Sequence, residues 1–168
     1  DPDGDPLTVA FSLVAQPAGS TATIPAGATS FTPDVGGVYT VSLIVNDGRL
    51  DSTADTVDIT VNTPPVANAG PDQVVDLGAL VNLDSSGSSD AEGNPLTAVF
   101  SLVAQPGGSA VTIAPGATSF TPDAGGLYTV SLVVNDGRVD SAADTVDISV
   151  NTAPVANAGA DQQVETGC

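Results

Sequence analysis

The chain contains no lysine, histidine, methionine or tryptophan, and its two cations are Arg49 and Arg138. Twenty acidic residues stand against them, for a net charge of −18. Phosphate recognition depends on Lys and Arg, so nucleic acid is excluded as a natural partner. Anionic membrane surfaces are disfavoured for the same reason. Without His or Lys, and with Cys168 as the only cysteine, the usual bases and nucleophiles are missing. Abundant Asp leaves paired-carboxylate glycoside chemistry open in principle. That chemistry needs a deep sugar cleft, which short loops on a small sandwich do not build, so the chain reads as non-enzymatic. Lys–Asn isopeptide crosslinks are impossible without lysine. A lone cysteine cannot staple a fold; Cys168 is either incidental or half of an intermolecular disulfide. No apolar run approaches the ~20 residues of a spanning helix. No signal peptide is visible, so the expectation is a chain processed or excised from something longer.

What is present favours strands and turns. Hydrophobic residues make up 41%, enough to bury a core despite the charge. Eighteen of the acids are Asp, and only Glu92 and Glu165 are Glu. Asp suits turns and offers oxygen ligands on a short stem. Frequent Thr, Ser and Val favour strands over helices.

The sequence repeats at an offset of 89 residues, with 57 identities in 79 positions between residues 1–79 and 90–168. Such a period is too long for a solenoid unit and suits one small sandwich per repeat. In this phase, residues 63–151 make a complete module. Residues 1–62 are a module lacking its first two strands, and residues 152–168 are the first strand of a following one. Only Leu80–Ser89 has no second copy. The chain is therefore expected to be a segment of a longer tandem array, or else a unit whose tail docks on the next copy.

Strict alternation marks the strands. In "GLYTVSLVVNDG", Tyr128, Val130, Leu132 and Val134 share one face; in "DTVDISV", Val146, Ile148 and Val150 do so. "TAVFSLV" turns inward Val99 or Phe100 together with Leu102, and "ALVNLD" supplies Val81 and Leu83. Asp58 and Asp147 alternate outward and guard an edge. "NDGR" at Asn46 and Asn135 lies between two strong strands and signals a hairpin. The pattern predicts about seven short antiparallel strands per module, an all-β sandwich.

The pieces "PVANAGPDQVV" at Pro65, "VNLDSSGSSDAEGNPLTAVFSLVAQPGGS" at Val81, "SFTPDAGGLYTVSLVVNDG" at Ser119 and "DTVDISV" at Asp144 resemble the polycystic kidney disease (PKD) domain and its bacterial relatives. The resemblance covers essentially the whole chain and implies tandem immunoglobulin-like sandwiches. Phe11 and Phe100 stand where that family usually carries Trp. Tyr39 and Tyr128 take the place of the tyrosine corner, in which the hydroxyl bonds back to the preceding connection.

In such a sandwich the loop between the second and third strands, the loop between the last two strands, and the incoming linker meet at one end. Asp90, Glu92, Asn94 and Asp136 gather there in the second module, and Asp1, Asp3, Asp5 and Asp47 in the first. Ca²⁺ wants six to eight oxygens, and the resemblance implies calcium binding at this end in some family members. The competing reading is turn chemistry alone, with Asx hydrogen bonds to backbone amides; the spacing is not that of an EF-hand.

The expected function is structural. Extracellular or cell-surface modules would form a stalk, adhesin shaft or filament, joined end to end to neighbouring modules or identical chains through Pro-rich linkers, with Ca²⁺ stiffening the joints. The alternative is a polysaccharide- or protein-binding accessory module of a secreted or surface protein. Sugar binding usually exposes aromatics, whereas the six here fall at inward positions of strand patterns.

Overall fold

The computed structural model describes residues 4–166. It contains nine strands and no helix among the described residues: β1 (Thr8–Ala15), β2 (Gly37–Asn46), β3 (Asp55–Val61), β4 (Gln73–Asp76), β5 (Val81–Asn82), β6 (Thr97–Ala104), β7 (Ser119–Phe120), β8 (Gly126–Asn135) and β9 (Asp144–Asn151).

The second repeat is a two-sheet sandwich. One sheet has the order β4-β9-β8-β6, and the small β5-β7 pair forms the other. The central β8 pairs antiparallel with both neighbours, Leu132 opposite Phe100 on one side and Asp144 on the other. Its alternation places Tyr128, Val130, Leu132 and Val134 at 1% exposure or less. Val146, Ile148 and Val150 of β9, Phe100 of β6, Phe120 of β7, and Val81 and Leu83 in and beside β5 complete the cluster. Phe100 takes the inward position at 4% exposure while Val99 is 55% exposed, which settles the choice left open by sequence. The register slips between Leu102 and Ala104, ending the alternation of β6.

The strand count differs from the expected seven antiparallel ones. Six strands form in the second repeat, and β4 runs parallel to β9, Gln73 opposite Ile148 and Asp76 opposite Asn151. The segment before β4 crosses from one sheet to the other: Val66 bridges Ser89, beside the β5 side, before the chain reaches the β9 edge.

The first repeat is a single three-stranded sheet, β1-β2-β3, equivalent to β6-β8-β9. Its registers duplicate those of the second repeat, including the slip between Leu13 and Ala15. Its burial does not. Val57 is 58% exposed where Val146 is 1%, and Ile59 is 38% exposed where Ile148 is 0%. Residues 152–166 carry a sequence close to that of the β4 segment but form no strand and are exposed throughout. A strand needs a neighbour for its backbone groups, and in this chain the edge of β9 is already taken by β4.

Candidate functional site: the joint between the repeats

Two elements of the second repeat meet the linker that leaves β3. The linker contributes Asn62 and Thr63. The loop before β6 contributes Asp90, Glu92 and Asn94, and the β8–β9 turn contributes Asp136.

The β8–β9 turn is built by its own side chains. Asp136 Oδ1 accepts the Arg138 and Val139 N–H groups at 2.7 and 2.8 Å, and Asn135 Oδ1 accepts Gly137 N–H at 2.7 Å. Gly137 has φ +91°, a conformation costly for any residue with a Cβ. The second carboxylate oxygen of Asp136 faces the linker and accepts the Asn62 side-chain amide at 2.7 Å. The Val139 and Asn62 donors and the Arg138 N–H hold this carboxyl below the usual carboxylate range, against the opposing effect of burial.

Glu92 clamps the next linker residue. Its carboxylate accepts Thr63 N–H at 3.0 Å and the Thr63 hydroxyl at 2.9 Å. It also lies directly against Gly36 of the first repeat, where a Cβ would collide with it. Asp90 organises the loop that carries Glu92: its Oδ1 accepts Glu92 N–H at 3.1 Å, Asn94 N–H at 2.8 Å and the Asn94 amide at 3.0 Å. Asn94 in turn donates weakly to Asn62 Oδ1 at 3.5 Å. The loop and turn acids thus act as hydrogen-bond acceptors that hold a linker.

Of the corresponding residues of the first repeat, Asp5 and Asp47 are described. Asp1 and Asp3 lie outside the described residues. Asp5 is exposed. Asp47 repeats the turn chemistry of Asp136, accepting Arg49 and Leu50 N–H at 2.7 Å each, and its carboxyl is likewise lowered, chiefly by those two amides. It is half-buried, whereas Asp136, with Asn62 against it, is 8% exposed. Among the described residues no three or more His, Cys, Asp or Glu side chains gather as a metal-holding group. Asp90 Oδ2 is the one buried side-chain oxygen there without a hydrogen-bond partner.

A second polar network lies at the opposite corner. Tyr128 is fully buried; its hydroxyl accepts Ala124 N–H at 3.1 Å and lies within 3.2 Å of Asp123 Oδ1, Ala124 O and Ser109 Oγ, to one of which it donates. Asp123 also accepts the Ser109 hydroxyl at 2.6 Å and Ala110 N–H at 2.9 Å. Asp34 does the same for Ser20, Thr21 and Tyr39. Both carboxyls are held below their ordinary value, first by the serine hydroxyl. The tyrosine corner is as the sequence predicted. The aspartate that ties it to the "QPGGS" turn was missed, although "TPD" recurs in both repeats five residues before each tyrosine.

The bacterial Ig domain profile matches residues 1–60 and again 62–149, with its break at the end of β3, just before the clamped residues. The chain belongs to the bacterial Ig domain family. Modules of this Ig-like kind are generally non-enzymatic. No curated protein matches the chain. Among solved structures, a nucleoside hydrolase-related hypothetical protein from Saccharophagus degradans, associated with carbohydrate metabolism, aligns at 24% identity over 55% of this chain, with a TM-score of 0.42. The chain spans 26% of that protein's length. The fibronectin(III)-like modules of Clostridium thermocellum CbhA align at 17% identity over 95% of this chain and 86% of theirs (TM-score 0.41). The tandem Ig repeats of Dlar align at 12% identity over 88% and 84% (TM-score 0.38).

Proposed function

We propose that these tandem bacterial Ig modules are spacers of a secreted or surface protein, setting distance and direction between other parts of an extracellular assembly. Bacterial Ig domains are common on such proteins. The observation that carries the reading is the clamp on Asn62 and Thr63 by Asp136, Glu92 and Asn94. A flexible tether needs no such fixing, because ordering a linker costs conformational entropy; a shaft does. The aromatic residues support a spacer over a sugar-binding module: Tyr39, Tyr128, Phe100 and Phe120 are buried and Phe11 and Phe31 half-buried, whereas sugar binding usually exposes whole rings. Within the Ig-like family we place the modules with the PKD-like type on the motifs quoted above, and we read residues 1–62 as the same module without its first two strands.

Calcium at the joint is a finer part of the proposal. It rests on the unpartnered Asp90 Oδ2, in the loop that also carries Glu92 and Asn94.

The spacer reading is tested by replacing Glu92 with Ala in the whole chain. Small-angle scattering should broaden from one interdomain arrangement to many, and Thr63 amide exchange should rise. Identical scattering and exchange would remove the clamp as the basis of a rigid spacer. Binding of the unmodified chain to a defined glycan on an array would replace the spacer reading with that of an accessory module.

A further inference from the structure

Charge is distributed unevenly along the chain. None of the twenty acids and neither arginine falls in residues 6–33 or in residues 93–122. Burial does not account for this. Thr97, Val99, Ser101, Val103, Gln105 and Thr112 are exposed, Val99 and Val103 at 55% and 58%. A chain of net charge −18 thus carries a long neutral strip in each repeat.

In the complete second repeat the strip contains a sheet edge. The order β4-β9-β8-β6 leaves β6 with a neighbour on one side only. The strands that precede it in the repeat lie elsewhere, β4 against β9 and β5 against β7. The edge is therefore open with every strand of the repeat in place. The connection after β6 does not close it: a groove of about 440 Å³ separates Leu102–Ala104 from Val111–Ile113. A groove of about 470 Å³ lies at the equivalent place beside β1.

The direction of the free backbone groups follows from β8. Val134 N–H donates to Ser141 Oγ at 3.0 Å, and Val134 O accepts Ser141 N–H at 2.8 Å. Val134 thus turns its backbone groups toward the β9 side and away from β6. Ala98 stands opposite Val134, Phe100 opposite Leu132 and Leu102 opposite Val130. By the alternation of an antiparallel ladder, the N–H and C=O groups of Ala98, Phe100 and Leu102 point to the open edge, and those of Thr97, Val99 and Ser101 face β8.

Sheet edges are commonly blunted by charge, proline or shortness. The opposite edge of this sheet follows that rule: β4 has four residues, ends on Asp76 and is preceded by Asp72. β6 has eight residues, "TAVFSLVA", with no charge and no proline. Its one irregularity, the register slip between Leu102 and Ala104, lies at the far end, past Ala98 and Phe100.

We infer that two copies of the chain associate side by side through β6, strand against strand in antiparallel pairing. About a two-fold axis at Phe100, Ala98 of one copy faces Leu102 of the second, and the outward residues of the two strands exchange backbone hydrogen bonds. The charge pattern selects this occupant. A cationic partner is recognised by acids, and the strip offers none. A second copy brings the same −18, so it approaches closely where both surfaces are uncharged. β1, "TVAFSLVA", repeats the strand and gives each chain a second such edge. The inference goes beyond the spacer reading and does not rest on the clamp at the joint.

Sedimentation of the whole chain, with nothing added, should show mass rising with concentration. Raising salt from ~0.1 to ~1 M shortens the screening length from about 10 to about 3 Å, which relieves repulsion between copies, so association should tighten. On dilution, amide exchange should quicken at Ala98 and Phe100 and stay constant at Val99 and Ser101. These readings need no variant. Ala10→Asp together with Val99→Asp puts a carboxylate on both strips and should abolish association; both positions are exposed, so the fold should persist, which circular dichroism checks. Leu50→Asp together with Val74→Asp adds the same charge at exposed positions outside the strips and should leave association in place. A chain that is monomeric at every concentration and salt overturns the inference. So does association that weakens with salt, leaves exchange at Ala98 and Phe100 unchanged on dilution, survives the first pair of substitutions or is lost in the second.

Discussion

Replacing Tyr128 by Phe removes one oxygen from the best-packed place in the molecule. The ring remains, so its burial and its tilted contact with Phe120, with centroids 5.7 Å apart, are unchanged. Asp123 keeps the Ser109 hydroxyl and the Ala110 amide, so its carboxylate is not stranded. The exposed group is Ala124 N–H, whose acceptor was the tyrosine oxygen at 3.1 Å. A net hydrogen bond is worth about 0.5–1.5 kcal/mol, and a stranded donor adds on the order of 1 kcal/mol more. Ala124 is half-buried, so water recovers part of the second amount. The expected loss is about 1–2 kcal/mol, or roughly 5–15 °C in the melting of a unit this size. Circular dichroism on the whole chain gives the midpoint, and hydrogen exchange on residues 126–151 assigns the loss to the second repeat. Tyr39→Phe is the internal control and should leave exchange in β8 and β9 unchanged. An unmoved midpoint, with exchange in β8 as slow as before, would refute the argument that the hydroxyl network supports this corner.

Three further outcomes are expected. Asp123→Asn should destabilise at neutral pH, and the gap to the unmodified chain should close in acid: the folded carboxyl lies below the unfolded value of ~3.9, so its contribution is complete above about pH 4 and lost as pH falls through the folded value. Denaturant midpoints between neutral pH and pH ~2 measure this; a gap constant across that range contradicts the assigned cause. Gly126→Ala should cost more than about 1 kcal/mol, because Gly126 has φ +130° and a Cβ there would lie 2.9 Å from Pro106 Cγ; thermal melting that matches the unmodified chain would count against it. Calorimetry with Ca²⁺ on the order of 5 mM, within reach of extracellular affinities, should release or absorb heat and raise the melting temperature more than Mg²⁺ does, whereas equal effects of the two ions would reduce calcium to screening of the net charge.

Much of the joint was legible because its residues act locally. Asp136 and Asp47 cap their own turns within three residues, and Asp90 binds its own loop up to Asn94. Type and spacing suffice for such contacts. What Glu92 does was not legible, since its partner Thr63 lies 29 residues away and only the folded second repeat brings them together.

The sequence by itself determined the long strands β6, β8 and β9, the inward faces of β8 and β9, the hairpin turns and the tyrosine corner, because alternation and turn chemistry are properties of a few adjacent residues. It also determined that two modules follow one plan. The tertiary structure alone decided that Phe100 and not Val99 faces the core, and that β4 lies parallel to β9. The repeat phase already told which of two near-identical sheets lacks its cover, and the structure gives the extent. "DTVDITV" at Asp55 and "DTVDISV" at Asp144 differ by one hydroxyl-bearing residue for another, yet Val57 is 58% exposed and Val146 is 1%. Burial belongs to what lies across and beside a sheet: Val81 and Leu83 face only one of them, and Val75 of β4 extends only that one.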